Sequence, residues 1–206
     1  MIKYFYTFLI ILSLLIASCG GMPKPVDGKP QAVKPQTPSF IMGGGIINAD
    51  SLSAFLIQNN PEVSPSYVQI LSGFYIDEAA FEGVNHDIAF VQMCLETGFL
   101  SFGGLVTPDQ NNFAGLGATG LPDSEGNPEK GLIFADPRTG VRAQIQHLKA
   151  YGSTEPLNGE SVNPRFRFVR RGCSPTIEGL AGTWAADKQY AVKINAILQR
   201  LYEFAF

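Results

Sequence analysis

Asn85-His86-Asp87-Ile88-Ala89-Phe90-Val91-Gln92-Met93-Cys94-Leu95-Glu96-Thr97-Gly98 is the stretch on which the reading of this chain turns. Asn85 is a good helix N-cap, Asp87 suits the first turn, and Gly98 supplies a stop. Ile88, Val91 and Leu95 form one apolar stripe while Phe90 and Cys94 cover another side, so the helix belongs at the centre of a core. Glu96 is the carboxylate set at the end of that run. Burial disfavours the charged form, so a carboxyl there is pushed toward the raised pKa that a general acid needs near neutral pH. Helical spacing puts Gln92 and Met93 on the same face as Glu96.

Working outward, Leu52, Phe55 and Leu56 mark a short helix that Asn59-Asn60-Pro61 stops. Ser64 as N-cap and Pro65 at the first helical position begin another, striped by Tyr67, Ile70, Leu71 and Phe74 and ending at Gly83. Residues 100–130 are rich in Gly, Asn, Asp and Pro, a composition for ordered turns and a small β-hairpin lining a cleft, and Gly131-Leu132-Ile133-Phe134 reads as a short strand. Asp136-Pro137 opens a helix with Val141, Ile145 and Leu148 toward the core and Gln144, His147 and Tyr151 on a polar flank, ending at Gly152. A final helix is expected from Asp187, with Tyr190, Ile194, Ile197 and Leu201 in register. The fold class is α+β, mainly α-helical, with one buried helix delivering an acid to a loop-lined groove.

The composition suits one soluble domain with accessory sequence: 206 residues, 45% hydrophobic, 16% charged, formal net charge −3. There is no basic excess to draw the chain to nucleic acid, and Arg165, Arg167, Arg170 and Arg171, interleaved with Phe166 and Phe168, read as a solvated or substrate-edge patch. His86 and His147 show no metal-ligand spacing with the cysteines, so neither metal nor cofactor is expected. Gly43-Gly44-Gly45 lacks the lysine of a phosphate-binding loop and reads as a flexible join.

Lys3 followed by apolar residues 4–16 and the small-residue step Ile16-Ala17-Ser18-Cys19 reads as a secretory signal, its apolar run shorter than the ~20 residues that span a bilayer. The tetrapeptide resembles the bacterial lipobox, which makes Cys19 an acylated anchor and the protein a monomeric, membrane-tethered lipoprotein of the cell envelope facing the periplasm or cell surface. Residues 20–38 have the Pro, Lys, Gln and Gly composition of a tether. The expected organisation is therefore a signal peptide at 1–18, a disordered tether at 19–45 and a folded domain at 46–206. In such an exported compartment Cys94 and Cys173 could be bridged, although Cys94 serves equally as a small buried hydrophobe.

Four segments together resemble the glucosaminidase domain of bacterial cell-wall hydrolases: Glu82-Gly83-Val84-Asn85-His86-Asp87-Ile88-Ala89-Phe90, then Leu95-Glu96-Thr97-Gly98, then residues 110–120, then Gly140-Val141-Arg142-Ala143-Gln144-Ile145-Gln146-His147-Leu148-Lys149-Ala150-Tyr151. The resemblance runs from about Ile46 to the C-terminus. It implies a lysozyme-like fold with a small β-hairpin and cleavage of the β-1,4 bond after N-acetylglucosamine in peptidoglycan glycan strands. It maps the family's acid, found in a Glu-Thr-Gly or Glu-Ser-Gly step, onto Glu96, and a wall of the sugar groove onto Gln110, Asn111, Asn112 and Phe113. Many members carry Tyr-Ala-Thr-Asp-Pro before a Tyr, whereas this chain reads Trp184-Ala185-Ala186-Asp187-Lys188-Gln189-Tyr190. An indole stacks on sugar but has no phenolic proton, so Trp184 and Tyr190 are expected as substrate-binding residues, with His147 on the flank.

Glycosidases commonly use two carboxylates. Beyond Glu96 the candidates are Glu125 and Glu129 in the hairpin loop, or none, because the substrate's own N-acetyl group can attack the anomeric carbon. Two alternatives stand beside hydrolysis: a lytic transglycosylase cutting after N-acetylmuramic acid, and a non-catalytic peptidoglycan-binding lipoprotein.

Overall fold

The computed structural model describes residues 34–122 and 124–206. The signal peptide, Cys19 and the tether as far as residue 33 lie outside the described residues. Within Lys34–Phe206 the helices are α1 (Ala49–Asn59), α2 (Pro65–Glu82), α3 (His86–Thr97), α4 (Pro137–Gly152), the single-turn α5 (Ile177–Leu180) and α6 (Tyr190–Ala205). Short 3-10 turns lie at Pro108–Gln110 and Phe166–Phe168.

The caps follow the sequence closely. The Asn48 side chain accepts from Ser51 N at 2.9 Å, Asn85 Oδ1 from Asp87 N at 3.0 Å and Ile88 N at 3.3 Å, and Asp136 from Thr139 N at 2.8 Å. Gly83 and Gly98 close α2 and α3 in the left-handed conformation, at φ 74° and 57°. Asp187 lies just outside α6, accepting from Gln189 N at 2.8 Å, so the last helix begins three residues later than Asp187 itself.

α3 is the central element: every residue from His86 to Cys94 is buried. It packs against α6, α2 and α4, with Ile88, Val91, Ile145, Leu148, Ile194, Leu198 and Leu201 in one cluster. Each such side chain contributes about 1.5–3 kcal/mol by leaving water. After Gly98 the chain reverses through Phe99 and Leu100, both left-handed at φ 55° and 63°. That strained turn is held by Thr97, whose hydroxyl donates to Met93 O at 2.8 Å and accepts from Leu100 N at 2.9 Å, and by Phe99 against Phe55. The turn fixes where α3 stops, and hence where Glu96 is presented.

Three expectations need correction. The packed body starts before Ile46: Ile41 is fully buried, Phe40 bridges Thr176 and Met42 bridges Val84. Gly45 is a close-approach point rather than a flexible join, since a Cβ there would lie 2.8 Å from both Asp87 Oδ1 and the His86 ring. Asp87 is wholly buried and bolts this segment down, accepting from Ile46 N at 2.9 Å, Ile47 N at 3.2 Å and the Tyr202 hydroxyl at 2.8 Å.

The third concerns β-structure. Among the described residues the expected hairpin is reduced to one antiparallel bridge, Pro122 with Pro128, and residues 131–134 form no strand. Their carbonyls are taken by side-chain amides: Asn112 Nδ2 reaches Leu132 O at 3.0 Å and Asn111 Nδ2 reaches Phe134 O at 3.0 Å. Amide clamps satisfy the backbone where a second strand would otherwise be needed. Cys94 and Cys173 are both free thiols, and burial pushes that of Cys94 well above its ordinary value. No helix among the described residues is long and apolar enough to cross a membrane.

α2 and α4 are tied by charge. Glu78 accepts from Arg138 Nε at 2.6 Å and Arg142 Nε at 2.7 Å, and Glu82 pairs with Lys149 at 2.8 Å with both side chains buried.

Candidate active site

Glu96 sits at the C-terminal end of α3 in a groove of about 390 Å³, walled by Phe102, Leu105, Asn112, Ala118 and Trp184. Glu96 is the one carboxylate lining it among the described residues. The sequence suggested a buried acid; instead water reaches Glu96 along the groove while protein crowds the carboxyl itself. That crowding pushes its pKa above the ordinary carboxylate value, against the opposing pull of hydrogen bonds from Tyr190 and Trp184.

Both donors meet on one oxygen. Trp184 Nε1 donates to Glu96 Oε1 at 3.0 Å, and the Tyr190 hydroxyl donates to the same atom in a short contact. Trp184 thus supplies an N–H that orients the carboxyl, a use the sequence reading missed. Burial first, and the adjacent Glu96 second, hold Tyr190 well above the ordinary phenol value, so it stays protonated and donates. Glu96 Oε2 is left as the oxygen that can carry a proton to substrate.

Behind Tyr190 runs a buried chain of hydrogen bonds. Tyr75 Oη donates to Gln144 Oε1 at 2.6 Å, Gln144 Nε2 to Gln92 Oε1 at 2.9 Å, and Gln92 Nε2 to Tyr190 Oη at 3.0 Å. Gln144 Nε2 also donates to Ala89 O at 3.0 Å. Every link donates toward Glu96, so each bond polarises the next and the phenol is held in one orientation. Gln92 lies one turn before Glu96 and Gln144 on the polar flank of α4. Their positions were visible in the sequence, but their pairing across helices was not.

On the far side of Trp184 a second cavity, of about 280 Å³, shares Ala114, Gly115, Ala118 and Trp184 with the groove. His147, Tyr151 and Trp184 form an aromatic cluster there, with ring centroids 5.0–5.4 Å apart. His147 is 8% exposed and, by burial first and then the nearby Arg165, its pKa is pushed down to about 4.

The remaining candidates are placed differently. Gln110 is buried, closing a capping box with Thr107 N at 2.8 Å and reaching Lys130 O at 3.2 Å. Asn111 has left-handed backbone and clamps Phe134, and Phe113 is core at 1% exposure. None of these three lines the groove; they brace the wall that Asn112 and Ala114 present. Glu125 and Glu129 are exposed and also lie off the groove, with Glu129 accepting from the Thr119 hydroxyl at 2.6 Å. Among the described residues no group of three or more His, Cys, Asp and Glu side chains could hold a metal ion.

A family model described as mannosyl-glycoprotein endo-beta-N-acetylglucosaminidase matches residues 73–203, a span that contains Glu96, Gln92, Gln144, Trp184 and Tyr190. A protein of Borreliella burgdorferi, described as an uncharacterized protein, is 38% identical over 204 residues, covering 99% of this chain and 97% of its own length.

Proposed function

We propose, from the premise that this chain belongs to the glucosaminidase family and is at that level a glycan-directed glycoside hydrolase, that it cuts the β-1,4 bond after N-acetylglucosamine in peptidoglycan. The observation that carries the proposal is the Glu96 carboxyl: crowded, raised in pKa, pinned through one oxygen by Trp184 and Tyr190, and open to the groove through the other.

A carboxyl that keeps its proton to higher pH than an ordinary carboxylate and is fixed in direction suits the departure of a sugar oxygen. Glu96 Oε2 protonates the glycosidic oxygen as the bond to C1 breaks. With no second carboxylate lining the groove among the described residues, the carbonyl oxygen of the substrate's N-acetyl group attacks C1 and closes an oxazolinium ring. Glu96, now a carboxylate, takes a proton from water as that water opens the ring at C1. This restores the acid and gives a reducing N-acetylglucosamine end with retained configuration. Asn112 and Trp184 are the groove-wall residues placed to position sugar, and Tyr190 positions the acid.

The protein would act as a monomer tethered to the envelope membrane through acylated Cys19, as the lipobox-like Ile16-Ala17-Ser18-Cys19 suggests. Mass spectrometry of fragments released from sacculi by the purified protein tests the reading. Reducing N-acetylglucosamine ends support it; 1,6-anhydro-muramyl ends replace it with a lytic transglycosylase, and binding without release with a wall-binding module.

A further inference from the structure

We propose that the cavity behind Trp184 is an anion subsite that receives a carboxylate carried by the sugar next to the cut. This rests on the reading of the groove as a glycan site and adds the substituent it selects.

The lining of this cavity is rich in donors. Arg165 lines it half-buried, its stem passing beside Gly117, where a Cβ would meet Arg165 Cδ at 3.5 Å. Among the described residues no carboxylate pairs with the Arg165 guanidinium, and no acidic side chain lines the cavity. The Arg165 guanidinium lies 5.8 Å from the Phe168 ring centroid, farther than Arg167 and Arg171 lie from the Phe168 and Phe166 centroids, at 4.9 and 4.5 Å.

His147 supplies a second donor, and its tautomer follows from its neighbours. Asn163 Oδ1 accepts from Arg165 N at 2.9 Å, which fixes the amide orientation. Asn163 Nδ2 therefore donates, one hydrogen to Ala143 O at 3.2 Å and the other to His147 Nδ1 at 2.9 Å. An Nδ1 that accepts leaves the proton of a neutral imidazole on Nε2. That N–H belongs to a side chain more than nine-tenths buried, has no protein partner among the described residues, and lines the cavity. The Tyr151 hydroxyl is already committed to Thr183 O at 3.1 Å.

One fixed cation and one unpartnered N–H beside an aromatic wall match a carboxylate in charge and hydrogen bonding. A neutral polymer of N-acetylglucosamine offers them hydroxyl and carbonyl acceptors but no negative charge. A strand in which alternate sugars carry an acid, either as a free lactyl ether or through a peptide attached to it, brings the charge to the sugar beside the cut. Trp184 separates the two chambers, contributing its indole N–H to Glu96 on one side and its ring to the anion subsite on the other.

The test is binding, so that it does not depend on turnover. Full-length Glu96→Gln protein is titrated calorimetrically with three tetrasaccharides: one of N-acetylglucosamine alone, one alternating with N-acetylmuramic acid bearing free lactyl acids, and the same strand carrying peptide stems. The expected result is about tenfold tighter binding of an acid-bearing strand than of the neutral one, weakening with salt. The two acid-bearing arms tell the lactyl acid from the peptide acid. Adding Arg165→Gln removes the preference and the salt dependence, Arg165→Lys restores part of it, and Arg167→Gln leaves it in place. Equal binding of neutral and acidic strands, a preference that survives Arg165→Gln, or no binding of any strand overturns the anion subsite. The hydrolase reading is decided separately by the fragment ends.

Discussion

Gly140→Ala is a one-methyl change on α4 that should move the groove wall. A Cβ at Gly140 would lie 1.8 Å from Asn111 O, 2.9 Å from Asn111 C and 3.3 Å from a Phe113 ring carbon. To reach 3.0 Å, the two backbones must part by about 1.2 Å. Neither side yields easily, because Asn111 is clamped to Phe134 O and α4 is capped by Asp136 two residues before Arg138. Overpacking of this kind costs about 1–3 kcal/mol, partly offset by about 1 kcal/mol of better helix propensity. The expected net loss is about 0–2 kcal/mol by urea unfolding. Asn112 and Ala114 shift with the loop, and a displacement near 1 Å at a reaction site costs on the order of 100-fold in rate. Gly73→Ala on α2 is the control: nothing lies within 4 Å of its Cβ, so it should hold or raise stability and leave turnover alone. A Gly140→Ala protein as stable and as active as the wild type would refute the claim that this contact sets the groove.

Three further outcomes are expected. Lys149→Met leaves the buried Glu82 carboxylate unpaired, with one oxygen already lacking a partner, and should cost about 3–5 kcal/mol in denaturant unfolding; a smaller loss than 1 kcal/mol would show that the pair is not structurally needed. Gln92→Leu strands a Gln144 Nε2 hydrogen and removes the donor to Tyr190, costing about 1–3 kcal/mol and lowering kcat more than it raises KM; unchanged kcat would show that the chain behind Tyr190 does not orient the acid. On the proposed mechanism Glu96 acts protonated, so kcat is expected to fall as pH rises through its raised pKa; because the Trp184 hydrogen bond lowers that pKa, Trp184→Phe should move the alkaline limb to higher pH, and a limb that stays or moves down contradicts the proposed role.

The helical frame was legible because its signals are local. Asn85, Gly83, Gly98, Ser64-Pro65 and Asp136-Pro137 mark their boundaries through caps and backbone restriction within a few residues. Glu96 was legible for the same reason, as a carboxyl at the end of an apolar helix. What escaped was long-range. Gln110 and Asn111 read as sugar-facing because polar loop residues look alike whether they face solvent or clamp another loop, and their partners lie around residues 130–134; Phe113 packs into the main core instead. The strand at 131–134 failed because those same amides replaced the ladder. Asp87 looked like a dipole partner for its own helix, yet its carboxylate reaches back to Ile46 and forward to Tyr202. The chain from Tyr75 to Tyr190 joins four elements that no sequence spacing connects.

The most direct measurement of the central claim is digestion of sacculi in water enriched in oxygen-18, with the released fragments read by mass spectrometry. Hydrolysis driven by Glu96 places one heavy oxygen at C1 of a new reducing N-acetylglucosamine, and Glu96→Gln, folded to the same melting temperature, abolishes its appearance. Fragments without the label ending in 1,6-anhydro-muramic acid, or undiminished labelled release by Glu96→Gln, would contradict it.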